Sequence, residues 1–294
     1  MPSEKLFAIH DRRFESFRYV YPVIARRSHG LSIGINLNPA KNCNYDCVYC
    51  QVDRRGDVLK KSEVDLHILD QELQAIIEDF LNGALIRNPR FSTLNKSQAL
   101  EDKNLFRLND FAFSGDGEPT LSPQFEDAVK LVLDHISRLK KQFPLPVKIV
   151  LITNGTTLGA RRIQRVCEQM IAAGGELWVK CDVANQADFD RVFESGLNFE
   201  SVTKDLISFS QKHKVILQTM VFRFGDGSLS FCVDDYLALL KRLQEKNCQI
   251  QTIQLYTLAR KPKNPELRPL SLQELQTIAK RVNKETRFST EVFD

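Results

Sequence analysis

The feature that most constrains this chain is an alternation, from Leu31 onward, of short β-rich runs with longer amphipathic stretches of helical period. The strand-like runs are Leu31 to Leu37, Asp110 to Ser114, Val147 to Thr153, Glu176 to Asp182, Val215 to Phe222 and Ile250 to Tyr256. Helical patterns fall near Asp70 to Leu81, Phe125 to Lys140, Leu158 to Ala173, Phe199 to His213 and Val233 to Lys246, and again from Leu272 to Val282. Strands joined through helices run parallel, so the expected fold class is α/β. An insertion is expected over about residues 84–109, because Asn88 to Asn109 is polar and without period.

The faces of these strands narrow the architecture. Leu31, Ile33, Ile35 and Leu37 share one face of the first run, and Ser32, Gly34 and Asn36 the other. Phe111 and Phe113 oppose Ala112 and Ser114; Leu177, Val179 and Cys181 oppose Trp178, Lys180 and Asp182; Ile253 and Leu255 oppose Thr252, Gln254 and Tyr256. Strands covered on both sides are normally apolar on both. A small or polar second face suits an interior cavity, as in a partial (β/α)6 barrel. The competing account is a set of half-solvated antiparallel strands, disfavoured because helices intervene between nearly every pair. Val147 to Ile152 is apolar on both faces and favours neither. The expected organisation is an N-terminal extension over residues 1–30, the barrel over 31–257, and a C-terminal helical extension over 258–294.

Composition excludes several classes. With 294 residues and 43% apolar content the chain can bury a full core. No apolar run reaches membrane-spanning length, and residues 1–13 lack a signal-peptide pattern, so a cytoplasmic protein with no membrane partner is expected. Forty-one basic residues nearly cancel 37 acidic ones, and the net charge of +4 permits a nucleic-acid partner without requiring one. Seven cysteines, three crowded and four scattered, do not form the paired framework of a secreted scaffold.

The crowded three are Cys43, Cys47 and Cys50, in the run N-C-N-Y-D-C-V-Y-C-Q directly after the first strand. Soft thiolates suit iron bonded to sulfide, and three of them fit three corners of a cubane, leaving one iron without a protein ligand. Structural zinc is the alternative, but it almost always takes four protein ligands, and the nearby His29 and His67 sit at no familiar spacing. Ser114-Gly115-Asp116-Gly117-Glu118-Pro119 follows the second strand, and Thr153-Asn154-Gly155 ends the third; both also read as ordinary turns.

The C-x3-C-x2-C spacing with Tyr49 before the last cysteine, together with these two strand ends, resembles the radical S-adenosylmethionine superfamily. Within it, S-I-G-I-N-L and F-S-G-D-G-E-P-T-L resemble the single-cluster proteins grouped with wyosine-type tRNA-modifying enzymes. The resemblance implies a [4Fe–4S] cluster on Cys43, Cys47 and Cys50, with S-adenosylmethionine contacted by Tyr49, Gly117, Glu118 and Asn154. It implies reductive cleavage of that cofactor to a 5′-deoxyadenosyl radical, which takes hydrogen from a substrate that is a small molecule or RNA, and it requires a one-electron reductant. Asp116 stands where the family usually has glycine, and the G-x-I-x-G-x-x-E motif is absent around Val215 to Phe224. No catalytic residue is assigned. Lys180, Asp182, Gln218, Gln254 and Tyr256 fall on the inferred interior face, where Lys180 and Asp182 either bind substrate or neutralise each other. Arg26, Arg27, Arg54 and Arg55 leave room for an anionic partner, although a charged surface is the commoner explanation. The rival class is a non-catalytic metal- or iron–sulfur-bearing module that binds RNA.

Overall fold

The computed structural model describes residues 12, 14–25, 27, 28, 30–52, 63–91, 107–143, 145–260, 262 and 264–294. Arg26, His29, Arg54, Arg55 and most of the expected insertion lie outside them. The chain divides into two compact units, the first comprising Met1–Asn42, Leu59–Leu151 and Ala172–Gly175, and the second Cys43–Val58, Ile152–Ile171 and Glu176–Asp294.

In the first unit, β1 (Val20–Ala25) pairs antiparallel with β2 (Gly30–Ile35), which runs parallel to β3 (Leu108–Phe113). β3 in turn pairs parallel with β4 (Lys148–Thr153). Register places Ile33, Phe111 and Ile149 in one row, and Ile35, Phe113 and Leu151 in the next along the same face. These residues are fully buried or nearly so, which is where the alternating pattern of the sequence places the core. Two long helices, α1 (Leu66–Leu81) and α3 (Phe125–Gln142), flank the one-turn α2 (Ala84–Arg87) in sequence. Asp65 caps α1 by accepting the His67 and Ile68 amides, and His135 of α3 meets Asp70 of α1 at 2.7 Å.

The sequence pattern leaves β1 out, and its role explains part of the small-residue face. Tyr21 lies opposite Gly34, and a Cβ on Gly34 would stand 2.2 Å from the Tyr21 ring. The Tyr21 hydroxyl also shares a hydrogen bond with Ser114 Oγ at 2.9 Å. Gly34 is small because a tyrosine ring covers it. On the same face Ser32 donates to Asp110 across the β2–β3 pair. Glu72, buried in α1, accepts the backbone N–H groups of Arg18, Tyr19 and Val20 at 2.6, 2.9 and 3.0 Å, fixing the entry to β1. Glu72→Ala removes that charged acceptor from three amides and is expected to cost about 3 kcal/mol. Urea denaturation measures the loss, and hydrogen exchange should show Tyr19 and Val20 opening first.

The second unit continues the same succession. It contains α4 (Arg161–Ala172), β5 (Glu176–Lys180), α5 (Gln186–Phe193), α6 (Phe199–Ser210), β6 (Val215–Met220) and the short β7 (Phe222–Arg223). After these come α7 (Val233–Glu245), β8 (Ile250–Tyr256), β9 (Arg268–Pro269), α8 (Leu272–Glu285) and β10 (Thr290–Phe293). β5, β6, β8 and β10 form parallel pairs in that order, while β7 and β9 pair antiparallel as a separate ribbon. Register aligns Lys180, Gln218, Gln254 and Glu291 in a polar row.

The α/β class is present in both units, and all six strands expected for the partial (β/α)6 barrel are strands in the expected order. The C-terminal stretch is more than helical, because β10 follows α8 and extends the parallel pairing from β8. α8 starts with a capping box between Ser271 and Glu274. Among the described residues, no helix is long and apolar enough to cross a membrane.

Candidate functional site

The cysteine loop belongs to the second unit, and two apolar side chains between its thiols anchor it there. Tyr45 and Val48 are buried in a cluster with Val183, Phe189, Val192, Phe193, Phe222 and Leu267. The Tyr45 ring stacks on Phe193 at 4.3 Å and meets Phe189 edge-on at 5.6 Å. Backbone bonds follow the same path. Asp46 N–H donates to the Phe193 carbonyl at 2.8 Å, Val48 N–H to the Val192 carbonyl at 2.9 Å, and Asn264 N–H to the Val48 carbonyl at 3.2 Å. Both flanks of the loop are thereby tied to the end of α5 and to the segment after β8.

Cys43, Cys47 and Cys50 remain half-buried, and none of the seven cysteines is in a disulfide. Burial raises the Cys47 pKa well above the ordinary thiol range, and the Cys50 and Cys43 thiols push it the same way. Lys180 opposes the rise, while Asp182 adds to it. Three thiols that feel one another in a partly desolvated loop need a cationic partner before all can ionise, and iron provides one. The Val52 amide donates to Cys50 Sγ at 3.5 Å, the kind of bond that stabilises thiolate and cluster sulfur. Among the described residues no group of three or more His, Cys, Asp or Glu side chains could hold a metal ion. Three thiols within eight residues are the donor type an iron–sulfur cluster takes, so the donor set fits a cluster in its chemistry.

Asn154 stands beside this loop. Its Nδ2 lies 4.0 Å from Cys43 Sγ and donates to Asn44 Oδ1 at 2.7 Å, while its Oδ1 accepts from Thr156 Oγ1 at 2.8 Å. Asn44 returns a bond to Thr156 Oγ1 at 2.7 Å, closing a small polar ring that the sequence reading missed. Its signal in the chain is Asn44 beside Cys43 and Thr156 two residues after Asn154.

Tyr49 turns its hydroxyl to Asp182, which is fully enclosed and also accepts the Met220 amide at 2.7 Å. Lys180 Nζ pairs with Asp182 at 3.0 Å and donates to the Tyr256 hydroxyl. The ammonium lies 5.0 Å from the Tyr49 ring centroid and 4.9 Å from that of Tyr256. Lys180 and Asp182 thus neutralise each other directly. In the same row as Lys180, buried Gln218 donates to Gln254 at 2.9 Å. A small, mainly apolar cavity lies beside β5, with Lys180, Asp182 and Asn154 as well as Tyr45, Phe193 and Val202 in its wall.

The Ser114–Pro119 turn belongs to the first unit. Asp116 accepts from Asn36 Nδ2 at 2.6 Å and pairs with Arg12, and its own amide donates to Asn36 Oδ1 at 3.1 Å. The aspartate in place of glycine is thus held by an asparagine at the end of β2. The buried Glu118 carboxylate accepts from Thr120 N and Oγ1, at 3.2 and 2.7 Å, and the Glu118 amide donates to the Asn42 carbonyl at 2.9 Å. A Cβ on Gly117 would stand 1.8 Å from that carbonyl oxygen. Backbone cannot yield as a side-chain tip can, so Gly117→Ala is expected to lower stability by about 3 kcal/mol. Chemical denaturation tests this, with Gly174→Ala, where a Cβ would meet nothing within 4 Å but φ is +81°, giving the cost of backbone strain alone.

No family model matches the chain. A UPF0026 protein of Methanocaldococcus jannaschii is 24% identical over 247 residues, 79% of this chain and 62% of that protein. A UPF0026 protein of Helicobacter pylori is 24% identical over 192 residues, 65% of this chain and 51% of its own length. The chain is similar to the UPF0026 proteins. It also matches a GTPase Obg of Brachyspira hyodysenteriae, 25% identical over 272 residues, 91% of this chain and 34% of that protein. The chain spans between a third and about three fifths of these relatives. A crystal structure of archaeal TYW1 aligns over 98% of this chain and 81% of its own, at 14% identity and a TM-score of 0.49. Alongside the similarity to UPF0026 proteins, the chain resembles the radical S-adenosylmethionine superfamily in its cysteine loop, its Gly-Asp-Gly-Glu-Pro turn and its order of strands and helices.

Proposed function

We propose that the protein is a radical S-adenosylmethionine enzyme whose Cys43, Cys47 and Cys50 hold a [4Fe–4S] cluster. The observation that supports this reading is a loop of three mutually interacting thiols, fastened to its unit by Tyr45 and Val48 between them. When bound, such a cluster supplies an electron to the sulfonium of S-adenosylmethionine, which cleaves to methionine and a 5′-deoxyadenosyl radical.

The chain's own residues ligate, orient and exclude. Cys43, Cys47 and Cys50 would hold the cluster and leave one iron open to S-adenosylmethionine, with Tyr49, Gly117, Glu118 and Asn154 as its contacts by resemblance. The aromatic cluster under the loop keeps water from its inner side. The barrel over residues 31–257 would carry the reaction, with 1–30 and 258–294 as extensions. A one-electron reductant and a small-molecule or RNA substrate complete the scheme. The GTPase name of one relative is not carried over, because the chain contains no G-x-x-x-x-G-K-[ST] run to cradle a nucleotide's phosphates.

Anaerobic reconstitution followed by iron and sulfide analysis tests the cluster, with about four irons and matching sulfide per chain expected. Addition of dithionite and S-adenosylmethionine tests the reaction, with 5′-deoxyadenosine as the expected product. Iron without that product would leave the non-catalytic, RNA-binding class standing instead.

A further inference from the structure

Lys180 and Asp182 form a buried ion pair reached directly from the cysteine loop. Asp182 is fully enclosed, and its two oxygens are engaged by the Tyr49 hydroxyl, the Lys180 ammonium and the Met220 amide. Lys180 is held between two tyrosine rings, one of which precedes Cys50 in the chain. Both charges touch Tyr49, which lies between Cys47 and Cys50 in the chain, Asp182 at the hydroxyl and Lys180 at the ring. A buried pair adds little stability over apolar side chains of the same volume, so stability alone does not account for two charges here.

We propose that Lys180 and Asp182 are positioning residues that set the reduction potential of the cluster on Cys43, Cys47 and Cys50, the aspartate lowering it and the lysine raising it. This rests on the cluster reading above. In the step concerned, the reductant gives up one electron and the cluster gains it, with no bond made or broken. A negative charge beside the loop disfavours the incoming electron, and a positive charge favours it. The Tyr49 bond fixes the distance at which the pair acts, because the same side chain is covalently next to a ligand.

The test is an EPR-monitored redox titration of the reconstituted protein and its variants. Asp182→Asn, nearly isosteric, should raise the midpoint potential and Lys180→Met should lower it. Each should change the ratio of reduced to oxidised cluster at fixed poise by about tenfold, equal to about 59 mV for one electron. In Lys180→Met the Tyr49 and Met220 donors still hold the Asp182 carboxyl group in place. Lys180→Arg should restore the wild-type potential. Opposite shifts with iron content unchanged support the inference, because a purely structural role would not change sign between the two variants. Shifts of the same sign, or none, in clusters of full iron content overturn it while leaving the cluster reading intact. If Asp182→Asn fails to load, Lys180→Met against Lys180→Arg decides alone, a lower potential only in the methionine variant supporting the inference and equal potentials overturning it. A wild-type chain that takes up no iron removes both.

Discussion

Cys47→Ala is expected to lose the cluster and, with it, all cleavage of S-adenosylmethionine above background. Cys47 is the middle thiol of the three and the one on which the other two act. It is also the ligand flanked most closely by the loop's anchors, with Asp46 and Val48 both bonded through their amides to the end of α5. With Cys47 gone, two cysteines remain for four irons, too few to hold the cube against loss to solvent. Iron should fall from about four per chain to near none, and 5′-deoxyadenosine to the level without protein. The fold should survive, since a half-buried thiol removed from a loop costs about 1 kcal/mol, and a thermal melt separates this from unfolding. Cys181→Ala provides the contrast. That thiol is buried on β5's neighbouring segment, and burial with the Asp182 charge pushes its pKa up to about 12. It stands alone, outside the loop that carries Cys43, Cys47 and Cys50, and its removal should leave iron content unchanged.

The cysteine loop and the six strands were legible because each signal is local. Three thiols within eight residues and the two-residue period of Leu31, Ile33 and Ile35 need no knowledge of distant chain. What escaped the reading depends on contacts between residues far apart in sequence. Gly34 and Ala112 read as the lining of a cavity, whereas the Tyr21 ring, brought in by β1, covers Gly34. β1 itself was hidden because Val20 to Ala25 contains Pro22, which demotes a strand to an edge, the place it occupies here. Only eight residues long, α5 escaped as well, although its Asn185 cap is visible beside Asp188. Likewise the Tyr49–Asp182 bond spans 133 positions and has no signature in the chain. The site's polar pair was placed on one face by period, and its pairing at 3.0 Å is a contact between the two side chains that period alone does not give.

Tyr45→Ala should be the most destabilising single change in the cysteine loop. The side chain is 4% exposed and fills the space between Phe189 and Phe193, with Val48, Val192 and Leu267 in the same cluster. Truncation of a buried aromatic of this size costs about 3–5 kcal/mol, because the transfer energy and the cavity left behind add. The stacked contact with Phe193 and the edge contact with Phe189 are lost with it. Tyr45→Phe keeps the ring and should stay within about 1 kcal/mol of wild type. If the ring anchors the thiols, Tyr45→Ala should also load less iron at a temperature where it is still folded, and Tyr45→Phe should load fully. Denaturation midpoints and iron content measured on the same preparations decide this. Full iron in a folded Tyr45→Ala protein would mean that the Asp46 and Val48 backbone bonds to α5 hold the three sulfurs in place by themselves.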